Sequence, residues 1–460
     1  MITLKKTLII GLLVILTGCL PGFGSGDFPS QNPQTNQTTT NTSSNQIISL
    51  ATAQNSSGAS GTQLATNIST AFQLFQPAQT FPAWTDNGTN WSQGATVSAI
   101  GVKSNYSLGA YVDPNDSNKK KFFVVDRGNH RLLIFNSIPT NNGAIPDVVV
   151  GQPNFILGGA ANMNYGTPGI VSARGLNDLT EVAVCSNGTM FITDQGNNRI
   201  LAYKKIPLTN GASADYVLGQ PDFTSSMVNN PVVGSNSYMN HPYVATCIGT
   251  KLFVIDRGNN RILVYNSIPV PLQGQVTTSG ADFVIGQPNF DTTSVGNCDY
   301  SSDDSYLNTP YEIGTANGVL FVVDGANNRI LVYNTIPVSN FEKPDFVVGQ
   351  PNSATCLANV TGTATPTVQS LDLPNSIAFR SNLMAVADYT NSRIMFFGLP
   401  IVQNEPSALY ELGKPDFITG GVSATSATSI LTPKGLIFDS NFLWIGDGGN
   451  NRVLTIALPF

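Results

Sequence analysis

Most residues in this chain that could do chemistry stand at fixed distances from one recurring carboxylate. Six aspartates, Asp126, Asp194, Asp256, Asp324, Asp388 and Asp447, are each followed five positions later by an arginine: Arg131, Arg199, Arg261, Arg329, Arg393 and Arg452. One such pair could serve anion binding or proton transfer. Recurrence in every unit points instead to a bolt that holds a hairpin. The aspartate would accept turn N–H groups, an Asn or Gly would take the left-handed conformation, and the arginine would pair with carboxylate or carbonyls. A second set aligns thirteen residues ahead of five of these aspartates: Glu181, Tyr243, Tyr311, Asn375 and Lys434, with Glu312 one position on and His241 just before Pro242. There are 2 histidines, His130 and His241, so multi-histidine zinc sites and repeated histidine acid–base pairs are excluded. Asp299, Asp303 and Asp304 crowd one loop without the glycine-bracketed pattern of a calcium loop, and read as a solvated cluster.

The elements that must position these residues follow from the repeat. FVVDRGNHRLLIF from Phe123 recurs with variations from Phe191, Phe253, Phe321, Ala385 and Trp444, in steps of 68, 62, 68, 64 and 59 residues between the aspartates. Each unit is one supersecondary block with a variable insertion. Apolar runs flank a tight Asn-containing turn, as in Leu320 to Val323 and Ile330 to Tyr333, which predicts two strands joined by a hairpin. The runs are continuous rather than alternating, so both sheet faces must be covered. A proline at 139, 207, 269, 337, 400 or 459 marks the exit from the third strand.

A fourth strand is carried by Asp147 to Pro153, Asp215 to Pro221, Asp282 to Pro288, Asp345 to Pro351 and Leu409 to Pro415, five copies for six hairpins. Ala71 to Pro77 supplies a sixth approximate copy ahead of the first hairpin. The fold class expected is all-β: a six-bladed ring of four-stranded antiparallel blades over 71–460, closed by the N-terminal strand completing the last blade.

The phrase D-x-G-N-x-R after a hydrophobic strand resembles the NHL repeat, a β-propeller blade motif. Ala326 and Thr390 depart from its glycine, His130 and Ser392 from its second asparagine, and Pro114 to Lys121 interrupts the first blade. The resemblance implies that hairpin turns and the long connections, Ile156 to Asp178, Thr224 to Asn240, Asp291 to Asn308, Ser353 to Leu371 and Ile418 to Leu431, share one face around a central channel. Glu181, His241, Tyr243, Tyr311, Glu312, Asn375 and Lys434 then become the candidate ligand-binding residues of the channel mouth. Some propeller relatives are calcium-dependent lactonases and others are lyases. Calcium, if any, would be offered Glu181, Glu312 and Asn375; no other cofactor is expected.

Composition bounds the partners. Charged residues are 11% of the chain, against about 25% in ordinary domains. A net charge of −6 provides no positive field for nucleic acid. Residues 1–18 read as a signal segment, with Lys5 and Lys6 before an apolar run from Leu8 to Leu16 that is too short to span a bilayer. Leu16-Thr17-Gly18-Cys19 resembles a bacterial lipobox, with Cys19 as the lipid-bearing residue, and Leu20 rather than Asp resembles lipoproteins sent to the outer membrane. Residues 19–70 read as a flexible polar tether. An exported chain permits disulfides. Cys185 and Cys247, each nine residues before a hairpin aspartate, are expected to lie about 10 Å apart as buried thiols. A Cys298–Cys356 bridge between loops is the expected pairing.

These readings converge on a monomeric, lipid-anchored platform at the cell envelope, on the periplasmic side or the cell surface. It would recognise protein, peptide or glycan without catalysis. The alternative is a calcium-dependent, lactonase-like hydrolase or lyase working in the channel.

Overall fold

The computed structural model describes residues 50–54, 60–64, 72–73, 105–113, 116–139, 144–157, 163–164, 167–168, 170–296, 305–421, 429–439, 442–450 and 452–457. Three short strands come first: β1 (Leu50–Gln54), β2 (Ser60–Leu64) and β3 (Phe72–Gln73). Blade one is β4 (Asn105–Asp113), β5 (Asp116–Asp126), β6 (Arg131–Phe135) and β7 (Val148–Val150). After a two-residue pair, β8 (Met163–Asn164) and β9 (Thr167–Pro168), blade two is β10 (Val182–Val184), β11 (Met190–Asp194), β12 (Arg199–Tyr203) and β13 (Tyr216–Leu218). Blade three is β14 (Pro242–Ile248), β15 (Lys251–Asp256), β16 (Arg261–Tyr265) and β17 (Phe283–Ile285). Blade four is β18 (Pro310–Ala316), β19 (Val319–Asp324), β20 (Arg329–Tyr333) and β21 (Phe346–Val348). Blade five is β22 (Pro374–Arg380), β23 (Leu383–Asp388), β24 (Arg393–Gly398) and β25 (Tyr410–Leu412), and blade six is β26 (Pro433–Asp439), β27 (Phe442–Asp447) and β28 (Arg452–Ala457), with β3. The protein is a six-bladed β-propeller.

Each blade runs antiparallel in sequence order, and β3 pairs with β28 through Phe72↔Thr455 and Gln73↔Leu454. The last sheet is thus completed from the N-terminal side. The continuous apolar runs are buried on both faces, as in RILVY of β16 and β20, because each sheet is packed between two others. Blade five carries more: β2 adds in parallel to β25, and β1 pairs with β2. These strands fall inside the stretch read as a tether. They give β25 a neighbour in the position where Asn210, Asn340 and Asn404 of following blades accept N–H bonds from the outer strands β7, β17 and β21.

The hairpin turn is one turn of 3₁₀ helix closed by a left-handed residue, at His130, Asn198, Asn260 and Asn328 with φ near 53°. The glycine of the motif serves a different purpose, close approach. A Cβ at Gly196 would lie 2.5 Å from Asn177, and one at Gly258 2.5 Å from Asn240. Where Ala326 and Thr390 replace it, the N–H bond to the inner-strand lead-in is 3.2 Å, against 2.8 Å from Gly258. The other departures keep an acceptor. His130 Nδ1 accepts the Asp178 N–H at 2.9 Å, as Asn198 Oδ1 accepts the His241 N–H, and Ser392 Oγ accepts that of Thr432. Burial pulls the His130 pKa down, which keeps Nδ1 available as an acceptor.

One expectation is corrected. Cys185 and Cys247 form a disulfide, with Cα atoms 5.4 Å apart. In blade two the first hairpin is one residue longer: Val182, twelve before Asp194, faces Ile192, whereas Ala245, eleven before Asp256, faces Val254. Equal counts from the aspartate are therefore unequal registers. The extra residue turns Cys185 to the opposite sheet face, into the cluster shared with Ala245 and Cys247. Inner strands also converge toward the axis, so the face-to-face spacing of flat sheets does not apply there; a Cβ at Gly435 of blade six would lie 2.9 Å from the Ser107 Cα of blade one.

Residues 1–18, Cys19, Cys298 and most of 19–70 lie outside the described residues, so the signal, the lipid site and the Cys298–Cys356 pairing do too. Among the described residues, no helix is long and apolar enough to cross a membrane.

Candidate functional site at the channel mouth

The bolts set the frame of the site. Every motif arginine donates Nε to its own aspartate at 2.6–2.8 Å, and the pairs are buried. The other aspartate oxygen accepts a backbone N–H from the inner-strand lead-in, as Asn240 gives to Asp256 at 2.7 Å. The remaining guanidinium nitrogens reach the long connections: Arg199 to Phe223 O at 2.5 Å and Ser172 O at 2.8 Å, Arg393 to Phe417 O at 2.7 Å and Ser370 O at 3.0 Å. Asp126, Asp194, Asp256, Asp324, Asp388 and Asp447 thus fasten the inner strands, while their arginines tie down the connections on the same face.

Inside this frame the inner strands bring together Glu181, Tyr243, Tyr311, Glu312, Asn375 and Lys434, with Ser107 and Thr180, around a polar cavity of about 10 Å³. That is room for about one water. His241 stays outside, exposed, its Nδ1 2.6 Å from Asn240 Oδ1. The longer hairpin of blade two changes the ring positions: Thr180 occupies the place of Tyr243 and Tyr311, and Glu181 the place of Glu312. The two acids are therefore equivalent groups in alternate blades.

Both carboxyls are half-buried by area, but what they expose faces the narrow channel. Burial raises Glu181 to about 7, against the Ser107 hydroxyl and the Val182 N–H, which pull it back. Glu312 is raised well above the usual range by burial and then by the Glu181 charge, while the Ile313 N–H donates to its Oε1 at 3.0 Å. At neutral pH the pair carries less charge than its composition suggests. Such a pair can hold and pass a proton. It is a poor calcium site: two carboxyls share a wall with Lys434, and no group of three or more acidic, histidine or cysteine ligands gathers among the described residues.

The rim adds a residue that the motif treats as filler. Arg257, directly after Asp256, lies over two rings, its Cζ 5.1 Å from the Tyr243 centroid and 4.7 Å from that of Tyr311. Its Nη2 donates to the Tyr311 hydroxyl at 3.0 Å. Tyr243 and Tyr311 meet edge to face at 5.2 Å. In blade five the same motif position is Tyr389, with Lys434 Nζ 6.0 Å from its ring. Comparing the x of D-x-G-N-x-R across units would have singled both out.

A second buried cluster escaped the repeat reading. Blade five places Glu411 and Lys414 where blades one to four have Val and Gln, as in Val149 and Gln152 or Val284 and Gln287. Glu411 is 0% exposed, 3.7 Å from Arg393, and neither carboxyl oxygen has a hydrogen bond among the described residues. Burial raises it to about 8.

No protein-family model matches the chain, and no curated protein matches it. Among solved structures, it is similar to an auxiliary nutrient-binding protein from Bacteroides thetaiotaomicron, with 14% identity over 78% of this chain and 69% of that one, and a TM-score of 0.41. It is also similar to virginiamycin B lyase from Staphylococcus aureus (13%, 77% and 99%, TM-score 0.37) and to BamB from Moraxella catarrhalis (12%, 76% and 84%, TM-score 0.33).

Proposed function

We propose that this chain is a lipid-anchored, exported propeller whose mouth face is a non-catalytic recognition platform for protein, peptide or glycan at the cell envelope, held through Cys19 on the outer membrane. The observation that carries the reading is the size of the axial cavity. Room for about one water encloses no substrate, whereas the connections around it are long, polar and tied to the frame by buried arginines. Recognition then happens on the rim and needs no metal. The test pairs the intact chain with one whose 224–240 and 353–371 connections are shortened, each used to capture ligands from envelope extracts. Loop-dependent capture that EDTA leaves unchanged is expected; equal capture by both chains overturns the platform. Labelled palmitate should enter the wild-type chain and not Cys19→Ser, and equal labelling overturns the anchor.

A second reading is favoured by one observation, the raised Glu181–Glu312 pair, which has the protonation behaviour of an acid–base catalyst. A hydrolase or lyase would require the mouth to open. Tight divalent-ion binding by calorimetry, together with turnover lost in Glu181→Gln, would establish it in place of the platform.

A further inference from the structure

We propose that Arg257 binds an oxyanion, a carboxylate or phosphate group carried by the ligand, at the rim between blades three and four. The inference rests on the platform reading and names the chemistry its rim recognises.

Two places in the molecule are equivalent and differ in one group. The residue after the motif aspartate is arginine in blade one (Arg127) and in blade three (Arg257). Arg127 is neutralised by the next blade: its Nε donates to Asp178 Oδ1, and its Nη2 to Oδ2 at 2.6 Å. The residue equivalent to Asp178 opposite Arg257 is Thr309. Both have positive φ, 57° and 53°, and both give their N–H to the left-handed residue of the preceding turn at 2.9 Å, to His130 Nδ1 and to Asn260 Oδ1. The frame is the same, but a hydroxyl stands where the carboxylate would.

Arg257 is nevertheless held in place. Tyr243 and Tyr311 lie against it, and its hydrogen bond to the Tyr311 hydroxyl fixes its plane. Its Nε is buried and has no hydrogen-bond partner among the described residues. Aromatic faces orient and partly desolvate a guanidinium without cancelling its charge. A pre-oriented, uncancelled guanidinium at a polar mouth is suited to the capture of an oxyanion by charge-assisted hydrogen bonds from its terminal nitrogens.

The experiment measures thermal melting and calorimetric binding of the full chain with sodium acetate or inorganic phosphate against chloride, at fixed ionic strength. Wild type should show a saturable shift, with acetate against phosphate telling which group is preferred. Arg257→Gln should weaken half-saturation at least tenfold. Thr309→Asp, which rebuilds the pair of blade one at a backbone position already suited to Asp, should melt at or above wild type and lose the anion response. An anion-insensitive wild type, or an undiminished response in Thr309→Asp, overturns the proposal and leaves Arg257 as a stitch between blades. If loop-dependent capture persists while the anion response is absent, this inference fails alone. If capture itself is absent, the platform fails.

Discussion

The ring of Tyr311 occupies the space a side chain at Gly325 would need: a Cβ built there lies 2.1 Å from Tyr311 Cδ2. This accounts for the inverted order in D-G-A-N-N-R, where glycine takes the variable position and Ala326 the usual glycine position. The tyrosine lies over its own turn and so reaches back to Arg257 of the preceding blade. Gly325→Ala should push the ring out, costing roughly 1–3 kcal/mol by overpacking. It should also change the tyrosine near-ultraviolet circular dichroism; an unchanged spectrum with unchanged melting would refute the packing.

The buried bolts should be costly to break from one side. Arg261→Met leaves Asp256 buried with only neutral donors, Asn259 at 2.7 Å and the Asn240 N–H, and should cost about 3–5 kcal/mol in denaturant unfolding. Adding Asp256→Leu should recover part of the loss. If the double variant is as unstable as the sum of the singles, the two side chains do not act as a pair.

Glu411 predicts a pH dependence with a definite sign. Its pKa rises from 4.5 to about 8 on folding, so the folded state holds the proton more tightly. The stability this contributes is full below 4.5 and is lost as pH climbs through 8, on the order of 4–5 kcal/mol in all. Glu411→Gln should flatten melting temperature against pH over that window and stabilise the chain at pH 9. Parallel curves for the two chains would remove Glu411 from the account.

The disulfide closes a long loop, with a sequence separation of 62. Chain-entropy arguments put its removal at about 4 kcal/mol. Cys247→Ala should show a loss of that order, and a reducing agent should lower the wild-type melt toward the variant. A wild-type melt insensitive to reduction would count against the bond.

Much of the blade pattern could be read from the chain because the bolt residues recur and their chemistry tolerates little change: Asp accepts, Arg reaches, and the residue between them bends. Closure by Phe72 and Gln73 was legible for the same reason, as a missing fourth strand has one source. What failed was counting. Distance from the aspartate equals register only while hairpins have equal length, so Glu181 was set level with Tyr243 rather than Val244, and Cys185 level with Cys247. Arg257 was passed over because the motif marks its place as free, and Glu411 because a carboxylate in an outer strand does not disturb the pattern around it. Strands β1 and β2 were missed because Leu50–Gln54 and Ser60–Leu64 gain a partner only once β25 exists.

The N-terminal strands make a further prediction. Removing 50–64 uncovers the edge of β25 above Glu411 and should lower the melting temperature, whereas removing 29–45 should leave it unchanged. Equal melting for both shortened chains would mean that β2 contributes nothing.

The additional residue in the Cys185–Thr189 reversal is taken up inside the turn, and the pairing beyond it stays in step with the other blades: Glu181 stands against Thr193 as Glu312 stands against Val323. Excising that residue would shorten the turn and leave the acid where it is. In a repeat protein of this kind, turn length can therefore drift while the lining of the centre is insulated from the change.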